Sequence, residues 1–228
     1  MVTLTVLKVS EPNCLAAKTI SLNDAGQAQP DKFKIGTWFH YEQREVDGIK
    51  SLSTLLFDMA NDRYAFVIRE QLAKGKDPTK LVKRLGVKGH GKDGFFESSP
   101  TGQPWILLDF DGIPLPSAIN FIEHPAQGIG YLVSLLPPYF HKASYHYHLS
   151  SRAGLDGGKT IRAHIWYWLD HSVPNELLKQ WAKEVNSFGK LIDPSLFDTV
   201  HPHYTADPIF KGVNDPFPTG RSAMLLSE

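Results

Sequence analysis

Asp109 and Asp111 stand on alternate positions after the apolar run Trp105-Ile106-Leu107-Leu108, and Gly112 follows them. In a strand, residues i and i+2 point to the same face, so this spacing sets two carboxylates side by side. Neighbouring anions on a buried strand repel each other unless a cation lies between them. Mg²⁺ and Mn²⁺ take oxygen ligands and keep positions open for phosphates, so the pair points to phosphate chemistry. A strand ending in a polar turn also uses Asp and Gly, but it gives no reason for a second Asp on the same face as the first.

Three later segments carry compatible chemistry. Ser150-Ser151-Arg152-Ala153-Gly154 opens a glycine-rich turn, through Lys159, that feeds Arg162-Ala163-His164-Ile165-Trp166. Exposed backbone N–H groups in such a turn, with Arg and His beside them, form an anion cradle; a satisfied core histidine is the plainer reading of His164. Leu191-Ile192-Asp193-Pro194 delivers a third carboxylate after a helix, which would complete a two-metal site, although Asp-Pro is also a common turn. His201-Pro202-His203-Tyr204-Thr205-Ala206-Asp207 either lines a site or forms a loop.

The elements that must position these groups are mixed. Residues 1–30 alternate weakly, then become rich in Asn, Asp and Gln, so an early strand and a loose connection are expected. A short strand is expected at 38–41. Residues 51–60 have helical spacing, with Ser51 as N-cap, and 64–69 read as a buried strand. The glycine-rich basic stretch 86–94 reads as a loop. Residues 125–135 read as a helix stopped by Pro137-Pro138. Strands are expected at 144–150 and 160–169, then an amphipathic helix at 174–187 with Pro174 near its first position. Strands and helices interleaved with hairpins define an α+β fold rather than a parallel α/β array.

The chain has 228 residues, 42% hydrophobic and 21% charged, enough for one large domain or two small ones. No apolar run approaches the ~20 residues of a membrane span, and the N-terminus lacks the pattern of a secretory signal. Cys14 is the one cysteine, so no disulfide forms within the chain; a cytoplasmic protein fits. Net charge is zero, which argues against a general nucleic-acid coat protein. The charge is unevenly spread, however. Between Arg69 and Lys92, eight basic residues stand against Glu70 and Asp77. Such an excess, in particular Lys80, Lys83, Arg84 and Lys88, suits a phosphate backbone; a solvated surface is the alternative.

The order of Leu108-Asp109-Phe110-Asp111, then Ser151-Arg152 through His164, then Ile192-Asp193, resembles the archaeo-eukaryotic primase superfamily, nearest to replication primases and primase-polymerases of plasmids, phages and integrative elements. The resemblance covers about residues 100–215. The turn from Ser151 to His164 is longer than the family's compact form, by an insertion around 155–161. Ser144-Tyr145-His146 offers a competing serine-x-histidine match, so His146 is the reserve for His164. Asp170 competes with Asp193 and is read as structural, at a strand exit.

What the resemblance implies is specific. The fold would join a sheet like that of an RNA-recognition motif (residues 101–228) to an N-terminal α/β unit (1–100), as one catalytic domain over 1–228. Asp109, Asp111 and Asp193 would bind Mg²⁺ or Mn²⁺. Ser151, Arg152 and His164, with Lys159 and Arg162 in weaker roles, would hold the triphosphate of a nucleoside triphosphate. Single-stranded DNA would serve as template, across the basic 69–92 segment. The chain's last residues, 221–228, show no evident closing element, so a longer protein with a helicase or accessory domain is expected, and no membrane partner. Two other resemblances compete. Asp109-Phe110-Asp111-Gly112 resembles the nucleophile motif of haloacid-dehalogenase phosphatases, though Ile113 stands where Thr is usual. Tyr145-His146-Tyr147-His148-Leu149 resembles the metal site of rolling-circle nickases. A non-catalytic module that docks DNA or a replication partner is a fourth possibility.

Overall fold

The computed structural model describes residues 1–227, apart from the side chain at position 188. The first hundred residues supply β1 (Val2–Val9), β2 (Thr19–Leu22), β3 (Ala28–Pro30), β4 (Trp38–Val46), α1 (Ile49–Ala60), β5 (Ala65–Ile68), β6 (Gln71–Leu72), β7 (Val82–Lys83), the single irregular turn α2 (Val87–His90) and β8 (Phe96–Glu97). The remainder supplies β9 (Gln103–Pro114), α3 (Pro125–Ser134), β10 (Tyr145–Leu149), β11 (Thr160–Val173), α4 (Asn175–Val185), β12 (His203–Tyr204), β13 (Ile209–Phe210) and β14 (Ser222–Leu225). The architecture is α+β, with two principal antiparallel sheets.

One sheet has the order β12-β5-β1-β4-β7, the other β14-β10-β11-β9. β5 lies between β12 and β1 in the first sheet and is buried on both faces. Ala65 and Val67 point into one core, Phe66 and Ile68 into a second, as the period-two alternation of a strand requires. β12 comes from the C-terminal half yet pairs with β5, His203 opposite Val67. The chain therefore returns across the boundary near residue 100.

In the second sheet β9 presents Trp105, Leu107, Asp109 and Asp111 to one face. β11 sets Trp168, Trp166, His164 and Arg162 directly opposite them. This face packs against α1 and β12: Ser53 and Phe57 of α1 meet His146, and the rings of Trp105 and Trp166 lie 5.8 and 6.0 Å from that of His203. The other face is apolar and is covered from the helix side, where Phe140 sits 4.7 Å from Tyr167 and 5.6 Å from Trp181 of α4. An all-apolar back face and a front face that turns polar at Asp109 give the sheet a fixed orientation.

Several local features differ from expectation. Ser51 is not the N-cap of α1; Gly48 is, and the Ser51 hydroxyl accepts from the amides of Asp47 at 2.9 Å and Gly48 at 3.2 Å from the third helical position. Pro174 is the N-cap of α4 rather than its first residue, since its extended ψ of 149° ends β11 and its missing N–H costs nothing there. β9 does not stop at the aspartates: Gly112, at φ 82°, forms a bulge opposite the Arg162–Ile161 step, and the strand continues to Pro114. The C-terminal stretch does contain a regular element, β14, paired to β10. Only the backbone ladder marks it, because its four residues are all half-buried and lack alternation.

Candidate functional site

The register of β9 against β11 brings the chemistry together. Asp109 pairs with His164 and Asp111 with Arg162, while His148 on β10 pairs with His164 from the other side. The Arg162 guanidinium forms an ion pair with Asp111. A Cβ on Gly112 would lie 3.1 Å from that guanidinium, so the bulge both frees the backbone and leaves the arginine room. The cation expected between the aspartates is thus supplied in part by the protein itself. Asp109 keeps only a loose contact, His164 Nε2 at 3.4 Å from Oδ1. Burial holds the His164 pKa below its ordinary value; Asp109 and the Tyr204 backbone oppose this, and His148 and Lys18 reinforce it.

A cavity of about 230 Å³ opens over this face. Asp109, Asp111, His148 and His164 form its floor, Ser150, Ser151 and Arg152 one side, and His201, His203 and Tyr204 the other, with Lys18 contributed by the segment before β2. The turn from Ser150 to Arg152 follows β10 directly, with the Ser150 amide donating to the Arg162 carbonyl at 2.9 Å. His148 Nε2 lies 2.8 Å from Asp207 Oδ1, a carboxylate that orients the ring.

The opposite wall depends on one strained residue. Val200 has φ 55°, a conformation costly for a β-branched side chain. Its carbonyl accepts from Arg84 Nη1 at 2.9 Å, and its amide faces Glu70. The reversal at Val200 is followed by β12, which runs along β5, with His201 close enough to Asp109 to feel its charge and His203 against Trp105 and Trp166. Glu70 is itself 1% exposed and accepts from Asn175 at 2.9 Å. Burial pushes its carboxyl up to about 7, against the opposing amides of Val200 and Glu70, the Arg69 charge and Asn175. Burial also lowers His201, with Asp193 and Asp109 opposing, and holds His203 well below its ordinary value. Both ring nitrogens of His203 are buried with no hydrogen-bond partner among the described residues, so this wall carries unsatisfied polar atoms.

The residues singled out in the sequence fall into three groups. Asp109, Asp111, Ser151, Arg152 and His164 line the cavity together, and Arg162 reaches it through Asp111. Asp193 caps the short turn 194–197, its carboxylate accepting from the Ser195 amide at 2.9 Å. It does not line the cavity but acts electrostatically on His201. Burial raises its pKa, and the Ser195 bonds, His201 and Lys190 more than offset that, leaving it below the ordinary value. Lys159 lies outside the cavity, on the exposed far end of the turn that Asp156 closes by accepting from the amides of Gly158 and Lys159.

Of the basic segment, Arg84 abuts the site through Val200, while Lys80 and Lys88 sit on the surface beside Asp77 and Glu176. Lys83 lies over the Trp38 ring. Arg69 leaves the surface patch altogether. It is 3% exposed and donates to Asn175 Oδ1 and to the carbonyls of Trp105 and Val173, tying the two sheets together. His146 is a core residue, 1% exposed, bonded to Ser53 Oγ at 2.9 Å, with burial and then His148 pushing its pKa down to about 3. Asp170 is on the surface beside His171.

His148, Ser150, Lys18 and Asp207 were not picked out individually. Alternation alone would have placed His148 and Ser150 on one face with His146, but only the pairing to β11 shows which of the two histidines meets the aspartates.

An oxygen donor set suits a hard divalent ion, and Asp109 is the carboxylate with the weakest protein partner. Among the described residues, no group of three His, Cys, Asp or Glu side chains is gathered as a ready ligand cluster. That arrangement is compatible with Mg²⁺, which is usually held by one or two carboxylates and completed by substrate phosphates. Among the described residues, no helix is long and apolar enough to cross a membrane. Comparison with protein-family models, with curated proteins and with solved structures finds no match to the chain.

Proposed function

We propose that this chain is a template-directed nucleotidyltransferase, a primase or primase-polymerase catalytic domain of the archaeo-eukaryotic type. The observation that carries the proposal is the strand register: Asp109 opposite His164 and Asp111 opposite Arg162, under a cavity walled by Ser150–Arg152. Acidic side chains and cations meet there beneath a cavity of about 230 Å³. The second sheet with its two helices, β9-α3-β10-β11-α4-β14, follows the order shared by ferredoxin-like and RNA-recognition-motif-like units, although β12 and β13, which belong to other sheets, intervene after α4 and the final strand pairs with β10.

In this reading Asp109 and Asp111 would hold the divalent ion, and Asp193, which lies outside the cavity, acts only through its charge on His201. Mg²⁺ or Mn²⁺, when bound, neutralises the triphosphate and favours ionisation of the attacking hydroxyl. The chain's own part is positioning. His164, neutral because it is buried, donates to a phosphate oxygen from a fixed place on β11. Ser151 and Arg152, which line the cavity, would receive the β- and γ-phosphates. Arg162 holds Asp111. Such chemistry needs alignment and charge neutralisation rather than a covalent intermediate.

The rival readings have less support. A nickase metal site needs both histidines of the 146–148 pair, and His146 is committed to Ser53. A dehalogenase-type nucleophile belongs at the end of a parallel strand, and β9 is paired antiparallel.

The decisive assay is nucleotide incorporation on single-stranded DNA with nucleoside triphosphates and Mg²⁺ or Mn²⁺. Oligonucleotide products that disappear in Asp109→Asn and in Asp111→Asn, with unchanged circular dichroism, are the expected result. Products that persist in both variants, or no products alongside phosphatase or nicking activity, refute the proposal.

A further inference from the structure

Net charge is zero, yet one edge of the first sheet concentrates cations that have no acidic partner. Among the described residues, Lys74, Lys76, Lys83 and Lys92 are absent from every ion pair, whereas the neighbouring Lys80 and Lys88 are matched by Asp77 and Glu176. Two of the unmatched lysines lie over aromatic rings instead. Lys83 Nζ stands 4.6 Å from the Trp38 ring and Lys76 Nζ 4.7 Å from the Phe95 ring. The two rings meet edge to face at 6.4 Å.

The arrangement follows from pairing. Trp38 opens β4 and sits opposite Lys83 on β7. The Phe95 amide donates to Leu85 at 2.7 Å, and Lys76 Nζ to the Lys92 carbonyl at 2.9 Å. Trp38 remains 37% exposed. Arg84, next to Lys83 in sequence, turns to the opposite side of the ladder, where it holds the Val200 carbonyl and acts on both His201 and Tyr204.

We propose that Trp38 and Phe95, with Lys76, Lys83 and Lys92, form a docking platform for a single-stranded polynucleotide. The exposed Trp38 ring, edged by the half-buried Phe95 and flanked by lysines, offers stacking surface and positive charge together, which is what unpaired bases and their phosphates require. A duplex keeps its bases stacked internally and gains only the charge component. The inference rests on the template-directed reading for its biological sense, but not for its measurement.

The test is binding of fluorescently labelled oligothymidylate, oligouridylate and a duplex of equal length, without metal or nucleotide, over a range of salt. Wild type should bind one or both single strands more tightly than the duplex. Trp38→Ala should weaken single-strand binding about tenfold and leave the salt dependence unchanged, whereas Trp38→Phe restores most of it. Lys76→Glu/Lys83→Glu should reduce the salt dependence itself. A Trp38→Ala variant that folds normally and binds as wild type does, or a wild type that prefers the duplex, overturns the platform. Absence of incorporation by wild type with single-strand binding intact would remove the catalytic reading and leave the platform standing.

Discussion

Glu70→Gln tests how the cavity wall is held. Glu70 lies buried between Arg69, Asn175 and the strained Val200, with a carboxyl that ionises near 4.5 ordinarily and at about 7 in the folded chain. Between those values the folded state binds more protons than the unfolded one, so stability must fall as pH rises through the window. At 1.36 kcal/mol for each tenfold change, the loss is about 3 kcal/mol once the pH exceeds 7. For a chain of this size that corresponds to about 6–12 °C in Tm.

His146, His164, His201 and His203 have lowered pKa values. They act in the opposite sense, costing stability as pH falls below the ordinary histidine range. The wild-type profile therefore sums both effects, and the difference between wild type and variant isolates Glu70. Glutamine retains a carbonyl for the Asn175 amide and stays neutral. Thermal unfolding of both proteins in matched buffers from pH 5 to pH 8 should give similar Tm values at the acid end. Toward the alkaline end the variant should become progressively more stable. A difference that does not change with pH would show that Glu70 is already ionised in the folded protein, and the account of the Val200 wall would be wrong.

Other variants separate structure from function within the site. His146→Ala leaves the buried Ser53 hydroxyl unpaired, which costs about 1–3 kcal/mol. It should lower Tm without changing nucleotide affinity measured by equilibrium binding. His164→Ala should do the reverse, and an unchanged nucleotide affinity would remove His164 from phosphate binding. Arg162→Ala should change stability by less than about 1 kcal/mol, because Asp111 is largely exposed. It should also tighten Mn²⁺ binding in calorimetric titration. Weaker Mn²⁺ binding would mean that Arg162 supports the ion site rather than competing for it.

The legible parts of this chain were those set by local chemistry. Alternation and turn residues located β9, β10 and β11 to within a few residues, and the Pro125 start and Pro137 stop framed α3. The α+β class followed from their order. Asp109 and Asp111 were legible as a same-face pair because i and i+2 on a strand allow no other arrangement. Elements of two residues, such as β7, β8, β12 and β13, were not legible, since two residues carry no periodicity and are strands only because a partner ladder accepts them. Ser51 was misread because a serine near a helix start satisfies backbone amides equally well from the cap or from the third position.

Distance along the chain hid the rest. Residue type made Arg69 look like part of a basic surface and His146 like an alternative to His164. Burial between two sheets reversed both readings, and it takes contacts with residues 36 to 106 positions away for Arg69, and 93 for His146, to see it. The sequence alone determined which groups the chain can offer: two adjacent carboxylates, a Ser-Arg turn, a histidine-rich return segment and an excess of cations before residue 93. The tertiary structure alone decided which of them meet. Strand register, a property of hydrogen bonding between distant segments, set His164 and His148 over Asp109. A single strained residue, Val200, turned the chain so that His201 and His203 closed the other side.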